Sequence, residues 1–404
     1  MTDYILENGL KLVYKRSNSE LSSISISLDA GAGRDGDILG IAHATEHMIY
    51  KGTKSRSEKQ INEELSNIFG FQNAMTNYPY VVYYGTLLSE DLEIGLELFS
   101  DILINPSFCE DGFKEEMDVI IEELKEWDEE LEQYCEDKLF LNSMNNRRIK
   151  YPIIGTMESL KTIELSDIKN FYNKYYCANN TVITIISSLE FEEVKDLVKK
   201  YFNSFSSKDE IKSISINTNP KVGTLFNSRE DINSAKVQII FPIHELSNLE
   251  LKSLRIFNQY FGEGVNSILF DRLRTKHGLV YDVLTRVCHE EFIKLYKITY
   301  STSQENVEKS INIVKEIISD VDNFRNILND ELLNKLIKSF KLKKLFGEEQ
   351  SVRLSNALAT YDTMFGDYKV YLDEVNNLDD LSVDYIIDTA IKVLKNMTIQ
   401  IITR

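Results

Sequence analysis

Of the five histidines in the 404-residue chain, two fall four apart in His43-Ala44-Thr45-Glu46-His47. In a helix that spacing puts both imidazoles on one face, one turn apart, where they can share a metal ion. Glu46, three residues after His43, lies toward the same side, so its carboxylate can reach a water on the same ion. Two ligands do not make a site. A catalytic metal centre needs a third protein donor while keeping one position open for water.

The acidic run from Lys114 to Glu130 is the place to look for that donor. Turned as a helix at about 100° per residue, its carboxylates separate. Phe113, Met117, Ile120, Ile121, Leu124 and Trp127 form an apolar sector, and Glu115, Asp118, Glu122, Glu126 and Glu129 fall opposite, facing solvent. Glu116 and Glu123 share a face between Val119 and the Ile120 edge of the apolar sector, where an unpaired carboxylate is costly. A metal for Glu123, and for Glu116 a hydrogen bond that holds a ligand in place, would satisfy them. The order His-x-x-Glu-His is itself the inverse of the His-Glu-x-x-His zinc hydrolase motif.

The elements that must position these groups follow from pattern. Tyr4–Leu6 and Leu10–Lys15 flank Asn8-Gly9, a strong hairpin signal. Ile24, Ile26 and Leu28 alternate with Ser, as in a strand with one wet face. A Gly-rich turn at Gly31–Gly36 leads into a helix over about Leu39–Lys51, closed by Gly52. A second strand pair is expected near Ala74–Leu88, then a helix to about Leu103, before Pro106. A similar order recurs after residue 230: a strand at Lys236–Phe241, a helix near Leu249–Phe261, strands within Val280–Ser301 and a helix over about Glu305–Val321. The Ser-, Asn- and Lys-rich segment Ser204–Lys221, with Pro220, is the best linker. The expectation is an α+β protein of two related domains, 1–215 and 216–404, each a mainly antiparallel sheet covered on one face by helices.

Composition narrows the function. A net charge of −18 opposes approach to phosphates, so a nucleic-acid partner is set aside. Cys109, Cys135, Cys177 and Cys288 show no CxxC spacing, so neither a disulfide framework nor a cysteine zinc knuckle is expected. With no spanning apolar stretch and no signal-like N-terminus, a cytoplasmic protein without a membrane span is expected.

Taken together, Gly31-Ala32-Gly33-Arg34, Gly40-Ile41-Ala42-His43-Ala44-Thr45-Glu46-His47-Met48-Ile49-Tyr50-Lys51-Gly52-Thr53 and Glu116-Met117-Asp118-Val119-Ile120-Ile121-Glu122-Glu123 resemble the pitrilysin (insulinase, mitochondrial-processing-peptidase) family of inverted zinc metallopeptidases. Asn73-Ala74 with Thr76 is similar to the family's substrate-binding edge strand. Pro152-Ile153-Ile154-Gly155-Thr156 matches in the first half, and Leu273-Arg274-Thr275-Lys276-His277-Gly278-Leu279-Val280-Tyr281 matches a segment whose Arg and Tyr complete the active site across the domain gap. The resemblance implies Zn²⁺ on His43, His47 and Glu123, Glu46 as general base, Glu116 behind the ligands, and Arg274 and Tyr281 as catalytic contacts. Asn73, Ala74 and Thr76 would bind a peptide substrate as an added β-strand in a closed chamber between domains that face each other across a cleft. It also implies a homodimer, or a heterodimer with a homologous subunit. The alternative is a non-catalytic, peptide-binding subunit of a processing assembly. Gly70-Phe71-Gln72 stands where many members carry Gly-Gly before the Asn-Ala motif, a change that reshapes the edge receiving substrate.

Overall fold

The computed structural model describes residues 1–146, 148–208 and 219–404; the boundary expected near residue 215 lies outside them. By contacts the chain divides into two units, each assembled from three pieces: Met1–Glu126, Tyr151–Ser215 and Gly347–Asp373 in the first, Trp127–Lys150, Ile216–Phe346 and Glu374–Arg404 in the second.

The first unit is built on a six-stranded sheet. Its strands are β1 (Thr2–Ile5), β2 (Lys11–Arg16), β3 (Leu21–Leu28), β4 (Phe69–Thr76), β5 (Val81–Leu88) and β6 (Thr181–Ser187), in the order β1-β2-β6-β3-β5-β4. The Asn8-Gly9 turn closes an antiparallel pair in which Thr2 lies opposite Tyr14 and Ile5 opposite Lys11. Among the described residues β2 and β6 are the parallel pair of this sheet. The second strand pair begins earlier than expected, at Phe69 and not near Ala74, and Tyr78 and Tyr80 lie in the turn between β4 and β5. One face of the sheet packs on helices Leu92–Ile104, Leu165–Tyr175 and Phe191–Phe202 and on the short motif helix α1 (Ile41–Met48), which share one apolar core.

The second unit repeats this plan. Strands β7 (Gly223–Ser228), β8 (Ala235–Pro242), β9 (Val280–His289), β10 (Lys294–Thr302) and β11 (Thr398–Thr403) lie in the order β7-β11-β8-β10-β9. β7 and β11 are its parallel pair. Strand for strand this is the β2-β6-β3-β5-β4 arrangement, so the recurrence read from element order is a recurrence of topology.

The expected wet face of each sheet is covered. α2 (Phe113–Glu129) ends the first-unit stretch, and the next helix, α3 (Leu131–Ser143), lies against β8, β11 and β7 of the second unit. There Lys236 Nζ meets Glu132 at 2.8 Å and Lys297 Nζ meets Glu136 at 2.8 Å. Conversely α4 (Ser351–Phe365), from the C-terminal half of the sequence, lies against β3, β6 and β5 of the first unit. It buries Ser23, Ser25 and Ser27, with hydroxyl contacts of 2.8 Å from Ser23 to Ser351, Ser25 to Ser355 and Ser27 to Thr363. Alternation with Ser reports a small polar face, and a helix with hydroxyls four and then eight residues apart satisfies that face as water would. Among the described residues no helix is long and apolar enough to cross a membrane.

Candidate metal centre

α1 starts abruptly. Gly40 takes φ +88°, and a Cβ there would meet the Ile154 carbonyl oxygen at 2.4 Å, so glycine is required for the approach of the Pro152–Thr156 segment. Asp35 caps the buried N-terminal end of the helix, its carboxylate accepting from the Gly40 and Ala42 amides at 2.7 and 3.1 Å. Sequence reading missed Asp35; its only signal is a carboxylate a few residues ahead of the helix.

From this anchored helix His43 and His47 project together, ring centroids 4.6 Å apart, toward α2. On α2 the burial pattern separates the carboxylates as the helical wheel expects: Glu115, Asp118, Glu122, Glu126 and Glu129 are exposed, whereas Glu116 and Glu123 are half-buried. Glu123 reaches both imidazoles, with Oε1 3.7 Å from His43 Nε2 and Oε2 3.5 Å from His47 Nε2. One donor atom from each of His43, His47 and Glu123 lies within 4.8 Å of the others. Donors about 2.0–2.1 Å from a tetrahedral ion stand about 3.3–3.5 Å from one another, so a small contraction would seat zinc, and two imidazoles with one carboxylate are a donor set that suits it.

Glu116 touches the other side of His47, accepting from Nδ1 at 2.7 Å, while its second oxygen takes Lys51 Nζ at 3.1 Å. Lys51 was not singled out by the sequence, although it follows His47 by four residues. The electrostatics agree with a cation site. Burial alone would depress His47, but the hydrogen bonds it donates to Glu116 and Glu123 overcome it and raise the imidazole to about 10. The His47 contact correspondingly holds Glu116 and Glu123 below the usual carboxylate range. The pair of carboxylates thus draws positive charge to this point. His43, more deeply buried and beside His47, is pushed down to about 4 and keeps neutral imidazole, the ligating form.

Glu46 stands apart from this donor set. Only 8% exposed, it accepts from the Thr76 hydroxyl at 2.6 Å, and burial raises its pKa against that hydrogen bond. A carboxyl lifted toward neutrality is suited to taking and returning a proton. Thr76 ends β4, an edge strand of the sheet. Asn73 and Ala74 lie on the same strand, Asn73 exposed and Ala74 packed against the core. Thr76 therefore turns its side chain to Glu46 and leaves its backbone on the edge.

Arg274 and Tyr281 belong to the second unit, where the structure brings them to each other. The Arg274 guanidinium lies over the Tyr281 ring at 4.7 Å and over Phe270 at 4.9 Å, and Tyr281, on the edge strand β9, is 83% exposed.

Comparison with known proteins matches two consecutive stretches of the chain. Residues 11–157 match the family model described as insulinase, peptidase family M16, and residues 162–340 match the one described as the peptidase M16 inactive domain. The metal-donor set lies within the first match. An uncharacterized zinc protease of Bacillus subtilis is 25% identical over 378 residues, covering 93% of this chain and 90% of its own. A probable mitochondrial-processing peptidase subunit beta of Arabidopsis thaliana is 31% identical over 204 residues, 50% of this chain and 38% of its own. The crystal structure of a protease from Helicobacter pylori superposes with a TM-score of 0.88 at 20% identity, covering 100% of this chain and 99% of that one, a likeness of fold.

Proposed function

The chain belongs to the insulinase family of peptidases, family M16, and from that premise we propose that it is a zinc-dependent endopeptidase cutting unstructured peptides held as an added strand on β4. The observation that carries this reading is the Thr76–Glu46 hydrogen bond: it ties the edge strand, where a peptide can extend the sheet, to a buried carboxyl beside the metal-donor set.

In this reading His43, His47 and Glu123 hold zinc, which when bound supplies Lewis acidity to water and to the scissile carbonyl. Glu46 accepts the proton of the attacking water and returns it to the leaving amine. Thr76 keeps that carboxyl aimed. The edge amides and carbonyls of Asn73–Thr76 align the peptide backbone. Arg274, preorganised by stacking on Tyr281, and the Tyr281 hydroxyl would stabilise the oxygen on which charge develops, the metal donors coming from the first half of the sequence and these two contacts from the second. Relatives that bear the name of a beta subunit support pairing with a second copy or a homologous chain.

The test is Glu46→Gln. It should retain zinc through dialysis and lose about 10²- to 10⁴-fold in turnover of an unstructured peptide. Cleavage at the wild-type rate would sink the mechanism.

A further inference from the structure

Strict alternation along β4 would place Phe69 and Phe71 on one face. Phe69 is buried in the first-unit core beside Phe99, ring centroids 5.0 Å apart. Phe71 is not. The register against β5 shifts between them, Phe69 opposite Leu87 but Phe71 opposite Thr86, so Gly70 is the extra residue of a bulge, and the bulge turns Phe71 onto the other face. The neighbouring strand accommodates it with glycine: a Cβ on Gly85 would stand 2.6 Å from the Phe69 ring and 2.9 Å from the Phe71 carbonyl oxygen.

The result is a phenyl ring 49% exposed on an edge strand, 5.9 Å from the ring of Tyr84. Phe71 and Tyr84 form one wall of a cavity of about 600 Å³ whose other wall is α4, where Val352, Ala357 and Tyr361 stand beside Arg353, Asn356 and Thr360. All of these residues belong to the first unit. The Gly70-Phe71-Gln72 segment noted as a departure in the sequence is the piece of chain that makes this cavity, and the cavity is continuous with the edge on which a peptide would lie.

We propose that this cavity is a specificity subsite that takes an aromatic or large aliphatic side chain of the bound peptide, remote from the scissile bond. The inference rests on the reading of β4 as the substrate edge. Side chains of an added strand lie on the same face as the residues opposite them. Thr76 faces the metal centre and Phe71, five residues earlier, faces the cavity, an odd spacing that matches the change of face. At about 3.3 Å per residue the two points are about 17 Å apart, so the selected side chain lies about five residues from the one beside Thr76. An apolar side chain there would cover Phe71, an exposed aromatic next to an open apolar cavity.

The experiment is a cleavage profile of the zinc-loaded full chain on a mixture of unstructured peptides, read by mass spectrometry. Wild type should enrich Phe, Tyr, Leu or Met at four to six residues from the cut, on one side of it. Ala357→Phe, which fills the cavity from α4 without touching β4, should abolish that enrichment and raise KM about tenfold for a peptide with Phe at the preferred place, with kcat kept. A matched peptide with Gly there should be unaffected. Phe71→Ala should act in the same direction. In parallel, Glu46→Gln protein should bind the labelled Phe peptide about tenfold more tightly than the Gly peptide, and Ala357→Phe in that background should erase the difference. Wild-type cleavage with a flat profile and no effect of Ala357→Phe overturns the subsite and leaves the peptidase intact. Absence of cleavage defeats the peptidase reading, and the anisotropy difference between the two peptides then still decides the cavity: equal affinities overturn it.

Discussion

His47 is held on both sides. Glu116 fixes Nδ1 at 2.7 Å, which leaves Nε2 for Glu123 and the ion, and Lys51 fixes Glu116 in turn. His43 has no such support: its Nδ1 is buried and has no hydrogen-bond partner among the described residues. Orientation of the ligand pair therefore rests on Glu116, and losing the charge behind a metal-bound imidazole typically costs about 10- to 100-fold in affinity. Glu116→Gln should weaken zinc by that factor in competition against a chromophoric chelator. Glu122→Gln should leave affinity unchanged, because Glu122 is exposed and, among the described residues, pairs with Lys125 at 2.6 Å. Equal affinities for the two variants would remove Glu116 from this role. At this scale the sequence was readable where the chemistry is local in a helix: the four-residue spacing of His43 and His47 and the wheel position of Glu123 are intrahelical facts. Thr76 was legible only as a backbone position on a substrate edge, because its contact with Glu46 spans 30 residues and depends on how β4 crosses α1.

The elements were legible as types more than as environments. Ile24, Ile26 and Leu28 identified a strand, yet nothing local to β3 tells whether its serines meet water or α4, more than 320 residues away in sequence. The contact makes a separable prediction. Ser355 Oγ lies 3.0 Å from the Val352 carbonyl as well as 2.8 Å from Ser25 Oγ, so Ser355 donates within its own helix and Ser25 donates to Ser355. Ser355→Ala then strands a buried hydroxyl and should cost about 1–3 kcal/mol in urea unfolding. Ser25→Ala leaves Ser355 bonded to its helix and should cost less. The double variant, with neither hydroxyl buried unsatisfied, should be more stable than Ser355→Ala alone. Additive losses would mean that the pair does not hold α4 on the sheet.

For the whole molecule, the crossed helices change what a fragment can be. Residues 1–215 contain every metal donor but lack Gly347–Asp373, which belongs to the same compact unit. That segment supplies Leu354, Leu358 and Tyr368 to a cluster with Val13, Val182 and Ile186, and Asp362 to Lys11 at 2.5 Å. Burial of three large side chains is worth roughly 5–9 kcal/mol as an upper estimate, comparable with the roughly 5–15 kcal/mol that separates folded from unfolded domains. A hydrophobic strip on β2 and β6 would be bared together with the serine face of β3. We therefore expect residues 1–215 expressed alone to aggregate or melt without a cooperative transition and to bind zinc weakly. Co-expression of 347–373 as a separate peptide should restore solubility, a cooperative melt and tight zinc binding, since the metal-bearing helices α1 and α2 share the apolar core built on the sheet that this segment covers. If 1–215 alone melts at the same temperature with and without the added segment, α4 is a covering the sheet does not need, and the zinc-binding fold is a contiguous half of the chain.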